Sequence, residues 1–205
     1  MNLFITGIGT NVGKTVVSAI LTEALQADYW KPIQSGVVEG KDSDTVKSLI
    51  SNTKTVFHPE TYLLQEPLSP HFAAKLDGVE IELDKIKLPV TINHLIIEGA
   101  GGLLVPVNAT QYVIDIAKQL DCEIVLVISS YLGCINHSLL SIDYLKRSHF
   151  KIKALVFNGE FESEVKQSII NYCPESKIID IPSLNNLTKQ QVLEISTKIT
   201  AQNAL

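Results

Sequence analysis

The stretch Gly7-Ile8-Gly9-Thr10-Asn11-Val12-Gly13-Lys14-Thr15 constrains this chain more than any other. It follows the apolar run Leu3-Phe4-Ile5 and leads directly into Val16-Val17-Ser18-Ala19-Ile20-Leu21. A strand that ends in a glycine loop and restarts as a helix leaves unpaired backbone N–H groups aimed at one point. Those amides, with the positive end of the helix dipole, bind phosphate. Lys14 adds a positive charge for the β- and γ-phosphates, and the Thr15 hydroxyl is placed to ligate Mg2+. The usual spacing has its first glycine where this chain has Ile8; here it stands one residue earlier, as Gly-x5-Gly-Lys-Thr. A chance Gly-Lys-Thr in a surface turn would not explain the flanking strand and helix.

Helical spacing continues over residues 15–26, with Val16, Ile20 and Leu21 inward. Tyr29-Trp30-Lys31-Pro32-Ile33 reads as a second strand stopped near Pro32, followed by a loop at Gln34-Ser35-Gly36. Asp42-Ser43-Asp44 opens a helix with Val46, Leu49 and Ile50 on one face. Residues 57–71 hold three prolines and little periodicity, so they read as loop, with a short helix at 70–76. His94-Leu95-Ile96-Ile97 is a buried strand running into Glu98-Gly99-Ala100-Gly101-Gly102. A helix at 111–120 follows, and Ile124-Val125-Leu126-Val127-Ile128 is a central strand. Helix 135–147, strand 152–157, helix 161–171, strand 177–181 and a helix from Thr188 complete the alternation. Near-continuous apolar strands alternating with helices predict an α/β fold, a parallel sheet covered by helices on both faces. No repeat or linker divides residues 1–205, so one domain is expected.

Composition narrows the partners. Net charge is −5, and Arg147 is the only arginine among 17 basic residues. No global field favours nucleic acid or an anionic membrane, and phosphate chemistry must rest on lysine, backbone amides and metal. No apolar run approaches the roughly 20 residues that span a bilayer. Cys122, Cys134 and Cys173 form no CxxC pair or disulfide framework. With no charged-then-apolar leader before the first strand, a cytoplasmic location is expected.

In parallel sheets of this kind ligands gather at the carboxyl ends of the strands. Glu98 ends an apolar strand there and is a candidate to reach the metal. Asp44 is either a second carboxylate ligand or a helix N-cap. Lys31, after Trp30, is either a charge neutraliser for a transferring phosphoryl group or for a carboxylated substrate, or a solvated surface lysine. Ser35 is a substrate contact or a turn former, and Asn158 a base-pairing amide or a loop-entry residue. Leu132-Gly133-Cys134-Ile135-Asn136-His137 enters a second helix whose N-terminus suits an anion. Cys134 has no activating charge beside it and reads as a packing residue. His71 and His137 lack metal-ligand spacing, so no zinc site is expected.

These motifs together resemble the dethiobiotin synthetase family. The match runs through the long phosphate loop, Lys31-Pro32-Ile33-Gln34-Ser35-Gly36, Asp42-Ser43-Asp44 and Pro67-Leu68-Ser69-Pro70-His71. It continues through Glu98-Gly99-Ala100-Gly101-Gly102, Leu132 to His137, Asn158 and Ile181-Pro182. The resemblance implies a P-loop NTPase-like three-layer sandwich that converts 7,8-diaminononanoate, CO2 and MgATP to dethiobiotin, ADP and phosphate. It implies catalytic roles for Lys31, Lys14 and Thr10. It implies nucleotide contacts from Asn11, Val12, Gly13, Lys14, Thr15, Val16, Asp44, Glu98, Gly99, Ala100 and Gly101. Asn158, Gly159, Pro182, Ser183 and Leu184 would form the adenine pocket. Mg2+ would be held by Thr15, Asp44 and Glu98, and the substrate by Ser35, Gly133, Cys134 and Asn136. The family works as a homodimer, with the helix start at 133–136 receiving the substrate carboxylate from across the interface. Many members carry acids where this chain has Asn11 and Gly9.

A rival class shares the phosphate loop: ATPase switches of the partition and MinD-like kind, which hydrolyse ATP to control partner binding. Those typically carry an extra lysine near the start of the loop, and Gly7-Ile8-Gly9 offers none. Their membrane-binding tail also has no counterpart in the last helix, where Val192, Ile195 and Ile199 make a narrow core-like face.

Overall fold

The computed structural model describes residues 1–184 and 187–201. Its main sheet has seven strands, all parallel. They are β1 (Asn2–Gly7), β2 (Asp28–Trp30), β4 (Phe57–His58), β6 (Leu95–Gly102), β7 (Glu123–Ser129), β8 (Ile152–Asn158) and β9 (Lys177–Ile181). Their spatial order is β4-β2-β6-β1-β7-β8-β9, so β1, which feeds the phosphate loop, occupies the middle. The strand at 124–128 lies beside it, paired on both sides.

Strand alternation divides the interior into two cores. Leu3, Ile5, Ile96, Val125, Val127, Ala154 and Val156 face one side. There they meet α1 (Lys14–Leu25), α2 (Asp42–Leu49) and α7 (Lys189–Ala201). Phe4, Ile97, Leu126, Ile128, Leu155 and Phe157 face the other. There they meet α3 (Pro70–Leu76), α4 (Val113–Gln119), α5 (Cys134–Arg147) and α6 (Ser163–Tyr172). Burial of both faces removes apolar area from water at about 25 cal/mol per Å2, which is why the strands read as continuous apolar runs rather than as alternating ones. Among the described residues no helix is long and apolar enough to cross a membrane. Residues 202–205 of the expected single domain lie outside the described residues.

The second strand differs from expectation. It ends at Trp30, and Ile33–Ser35, expected partly as loop, forms β3 of a separate two-stranded sheet with β5 (Tyr62–Leu64). Pro32 has no N–H to donate and leaves the main sheet. Its carbonyl accepts instead from Thr61 N and Tyr62 N, both at 2.9 Å, drawing the proline-rich segment alongside. The short edge strand β4, in the same segment, also carries no period for a sequence reading to detect.

At the amino end of β2, remote from the phosphate loop, buried Asp28 ties together three segments. Its carboxylate accepts from Thr91 Oγ1 at 2.6 Å, Val56 N at 3.0 Å, Asn93 Nδ2 at 3.2 Å and His58 Nε2 at 3.3 Å. Burial pushes its pKa up, but the hydrogen bonds outweigh burial and hold it below the ordinary value of 3.8. A depressed acid contributes stability that is present above its unfolded pKa and lost as pH falls through the folded one. Asp28→Asn should therefore cost about 1–3 kcal/mol at neutral pH. The melting-temperature gap from wild type should narrow below about pH 4; a gap independent of pH would contradict the assignment.

Candidate active site

The phosphate loop joins β1 to α1; its Ile8 N donates to Val127 O at 3.1 Å, and no backbone carbonyl among the described residues accepts from the amides of residues 9–13. Gly13 is in the left-handed region (φ 92°), and α1 starts without a side-chain cap and without an acid in its first turn. The N–H groups there are open to an anionic ligand. Gly13 must also be glycine for a packing reason: a Cβ would lie 2.1 Å from Asn158 Nδ2. That amide reaches from the end of β8 and donates to Val12 O at 2.9 Å. The expected base-pocket residue is thus locked onto the loop. Asn11 is also left-handed, with φ 60°.

Lys14 lies along the loop and donates to Gly9 O at 3.2 Å. Burial, partly opposed by Glu98, lowers its pKa to about 8. Lys31 is 5% exposed, which removes the solvated-lysine alternative. Its Nζ donates to Glu98 Oε1 at 3.0 Å and is ion-paired with Asp42. Burial works against its charge, but the Glu98 and Asp42 carboxylates prevail and raise its pKa above the usual lysine value.

Glu98 is the hub of the site and is almost wholly buried. Register places it beside Ile5 on the α1 side of the sheet. Its Oε1 accepts from Thr15 Oγ1 at 2.9 Å as well as from Lys31, and its Oε2 accepts from Tyr29 OH at 2.9 Å. Burial, then the nearby carboxylates, push the Tyr29 phenol well above its usual range.

The carboxylate that α2 brings to Thr15 is Asp42, with Oδ1 3.1 Å from Thr15 Oγ1. Gln34 steers it by accepting from Asp42 N at 3.0 Å. Asp44 is exposed, lines the same cavity and makes no side-chain hydrogen bond or ion pair among the described residues. The capping alternative for Asp44 does not hold: Lys41 occupies the N-cap position, and the first amide of α2, Asp42 N, is met by Gln34.

These groups open into a cavity of about 1050 Å3 that also takes in Thr10, Asn11, Gly13, Ser35, Ala100 and Gly101. The Ser35 hydroxyl is buried and has no hydrogen-bond partner among the described residues. Gly99 packs behind the loop against Phe4, and Val16 against the α1-side core. A second cavity of about 570 Å3 is lined by Ser129, Ser130, Asn158, Gly159, Glu160 and Ser183. Pro182 is exposed beside it, and Leu184 packs against the core.

Gly133, Cys134 and Asn136 line neither cavity. They sit at the uncapped start of α5, where Cys134 is buried while Leu132 and Asn136 stand in solvent. Among the described residues no group of three or more His, Cys, Asp or Glu side chains is arranged to hold a metal ion. A hydroxyl with one or two carboxylates suits Mg2+, which takes oxygen ligands and keeps water or phosphate for the rest.

Asp42 and Tyr29 are the two contacts that the sequence reading missed. Tyr29 was detectable in principle, since residues 29 and 31 share one side of an extended segment.

A family model described as an AAA domain matches residues 1–191. The chain is 47% identical over 197 residues to the ATP-dependent dethiobiotin synthetase BioD of Cytophaga hutchinsonii, covering 96% of this chain and 95% of that protein. It is 48% identical over 176 residues to the enzyme of the same name from Christiangramia forsetii, covering 86% and 84%. Among solved structures, the septum site-determining protein MinD from Pyrococcus horikoshii superposes with a TM-score of 0.57 at 15% identity, covering 98% and 90%. A ParA family ATPase from Chlorobium tepidum superposes at 0.55 and 12%, covering 99% and 93%. At such identities the structural likeness shows the P-loop NTPase-like fold alone, whereas the sequence relatives span nearly the whole chain at high identity, and the chain belongs to the ATP-dependent dethiobiotin synthetase family.

Proposed function

We propose that this chain carboxylates 7,8-diaminononanoate with CO2 at the expense of MgATP and closes the ureido ring of dethiobiotin. The observation that carries this reading is the buried lysine pair: Lys14 on the phosphate loop and Lys31 on Glu98 face one cavity with the unpartnered Ser35 hydroxyl. The second lysine, Lys31, lies beyond the second strand on Glu98 and not at the start of the loop, where the ATPase switches carry theirs. A cation so placed suits a site that brings an anionic acceptor to a triphosphate.

In the proposed sequence one substrate amine adds to CO2 and loses a proton, giving a carbamate. A carbamate oxygen attacks the γ-phosphorus and ADP leaves, giving a carbamic-phosphoric anhydride. The second amine attacks the carbonyl carbon, phosphate departs and the ring closes. Lys14 and the loop amides hold the phosphates, and the Thr10 hydroxyl donates to the transferring group. Lys31 neutralises charge between carbamate and γ-phosphate, while Ser35 orients the diamine. Asn158, Gly159 and the 182–184 loop border the base. The start of α5 at residues 133–136, which lines neither cavity within one chain, receives the substrate carboxylate in a homodimer. Free thiols at all three cysteines fit a cytoplasmic location.

Mg2+ supplies charge neutralisation on the phosphate oxygens when bound. Thr15, Asp44 and Glu98 are the proposed ligands. Asp42 is engaged by Lys31 and Thr15, whereas Asp44 lines the cavity with its carboxylate unpaired among the described residues. Asp44→Asn should raise the Mg2+ concentration needed for half-maximal rate about 10-fold or more and recover in excess Mg2+. If Asp42→Asn shows that behaviour and Asp44→Asn does not, Asp42 is the ligand.

The function itself is tested with purified protein, MgATP, bicarbonate and 7,8-diaminononanoate, with dethiobiotin detected by mass. The expected result is dethiobiotin, with ADP release dependent on both diamine and bicarbonate. Diamine-independent hydrolysis with no dethiobiotin would favour the ATPase-switch reading.

A further inference from the structure

Tyr29 is wholly buried, and it carries a hydroxyl. A buried phenol needs a partner, and its partner is Glu98 Oε2 at 2.9 Å. The ring has little freedom to move. Its backbone is paired on both sides, to Ile96 of β6 and Phe57 of β4, and its ring packs tilted against the Phe57 ring, centroids 5.6 Å apart. Glu98 lies two residues beyond Ile96 on the same side of β6. The two oxygens of Glu98 therefore have separate tasks. Oε2 is tied back into the core, and Oε1 is left facing Thr15 and Lys31 at the cavity.

We propose that Tyr29 is a positioning residue for the metal-facing carboxylate, its hydroxyl fixing the rotation of Glu98 so that Oε1 is presented to the ion. This rests on the reading of Glu98 as an Mg2+ ligand. Partners that orient metal ligands are worth about 10–100-fold in metal affinity when removed. A carboxylate free to rotate about its last torsion, which is broad and roughly two-fold, would present its oxygens to Lys31 and Thr15 in several ways.

The test is direct binding of Mn2+, which shares the oxygen-ligand preference of Mg2+. It is followed by electron paramagnetic resonance in the presence of ADP, on wild type, Tyr29→Phe, Phe57→Leu and Glu98→Gln. Tyr29→Phe removes one oxygen and keeps the ring. The expected result is an Mn2+ dissociation constant raised about 10-fold or more, with excess Mg2+ restoring turnover. Phe57→Leu, which loosens the ring contact without touching the hydroxyl, should lower the melting temperature and leave Mn2+ affinity unchanged. Wild-type Mn2+ affinity in Tyr29→Phe alongside weakened binding in Glu98→Gln would overturn the positioning role while keeping Glu98 as a ligand. Wild-type affinity in Glu98→Gln would overturn the ligand reading and this proposal with it. A Tyr29→Phe protein too unstable to assay, or a Phe57→Leu protein with the same Mn2+ defect, would assign Tyr29 to packing instead.

Discussion

Lys31→Gln is expected to lower turnover about 100–1000-fold, the scale for losing one preorganised charge at a reacting centre, while MgATP binding changes little. A carbamate and a triphosphate are both negative, and charges about 4 Å apart interact at roughly 4 kcal/mol even at an intermediate dielectric. A cation between them offsets that repulsion most where negative charge shifts in the transition state. Lys31 is suited to this because it is buried, charged and already held by Glu98 and Asp42. Removing it leaves Glu98 without its cation in the core, so ligand-free melting temperature should also fall and MgADP should restore part of it. Calorimetry decides the role: if MgATP affinity collapses while turnover at saturating ATP stays near wild type, Lys31 is a nucleotide anchor.

Lys14→Ala is expected to abolish measurable turnover, a loss of about 1000-fold or more, because phosphoryl transfer depends almost wholly on positioning and charge. The fold should survive. Lys14 is the first residue of α1, alanine is the best helix former, and burial already disfavours the lysine charge. The melting temperature should stay level or rise. The same charge should be visible in wild type without mutation. With a pKa of about 8 in the free enzyme, Lys14 is cationic below that pH and neutral above it. Affinity for ATP should therefore fall as pH rises through about 8, whereas the rate at saturating ATP, with phosphate stabilising the ammonium, should respond at higher pH. Near-normal turnover in Lys14→Ala would refute the phosphate-loop assignment.

Much of the architecture follows from contiguous segments. The phosphate loop is a local object, because one strand end, one left-handed glycine and one uncapped helix start suffice to aim its amides. The buried strands announced themselves because both of their faces are covered, so Leu95-Ile96-Ile97 and residues 124–128 have no polar alternation. Glu98 stood out for the same reason, as a carboxylate placed where the strand is still buried. The small β3-β5 sheet and the β4 edge carried no such signal, since two or three residues make no period and Pro32 redirected the chain.

The partners of Glu98 were decided only by the tertiary structure. Lys31, Tyr29 and Thr15 lie 67, 69 and 83 residues away in sequence, and strand register brings them to one carboxylate. The choice between Asp42 and Asp44 was equally beyond the sequence. Two residues on a helix differ by roughly 200° around its axis, so composition admits either acid. Docking of α2, with Gln34 holding the Asp42 amide, turned Asp42 to Thr15 and left Asp44 facing open cavity.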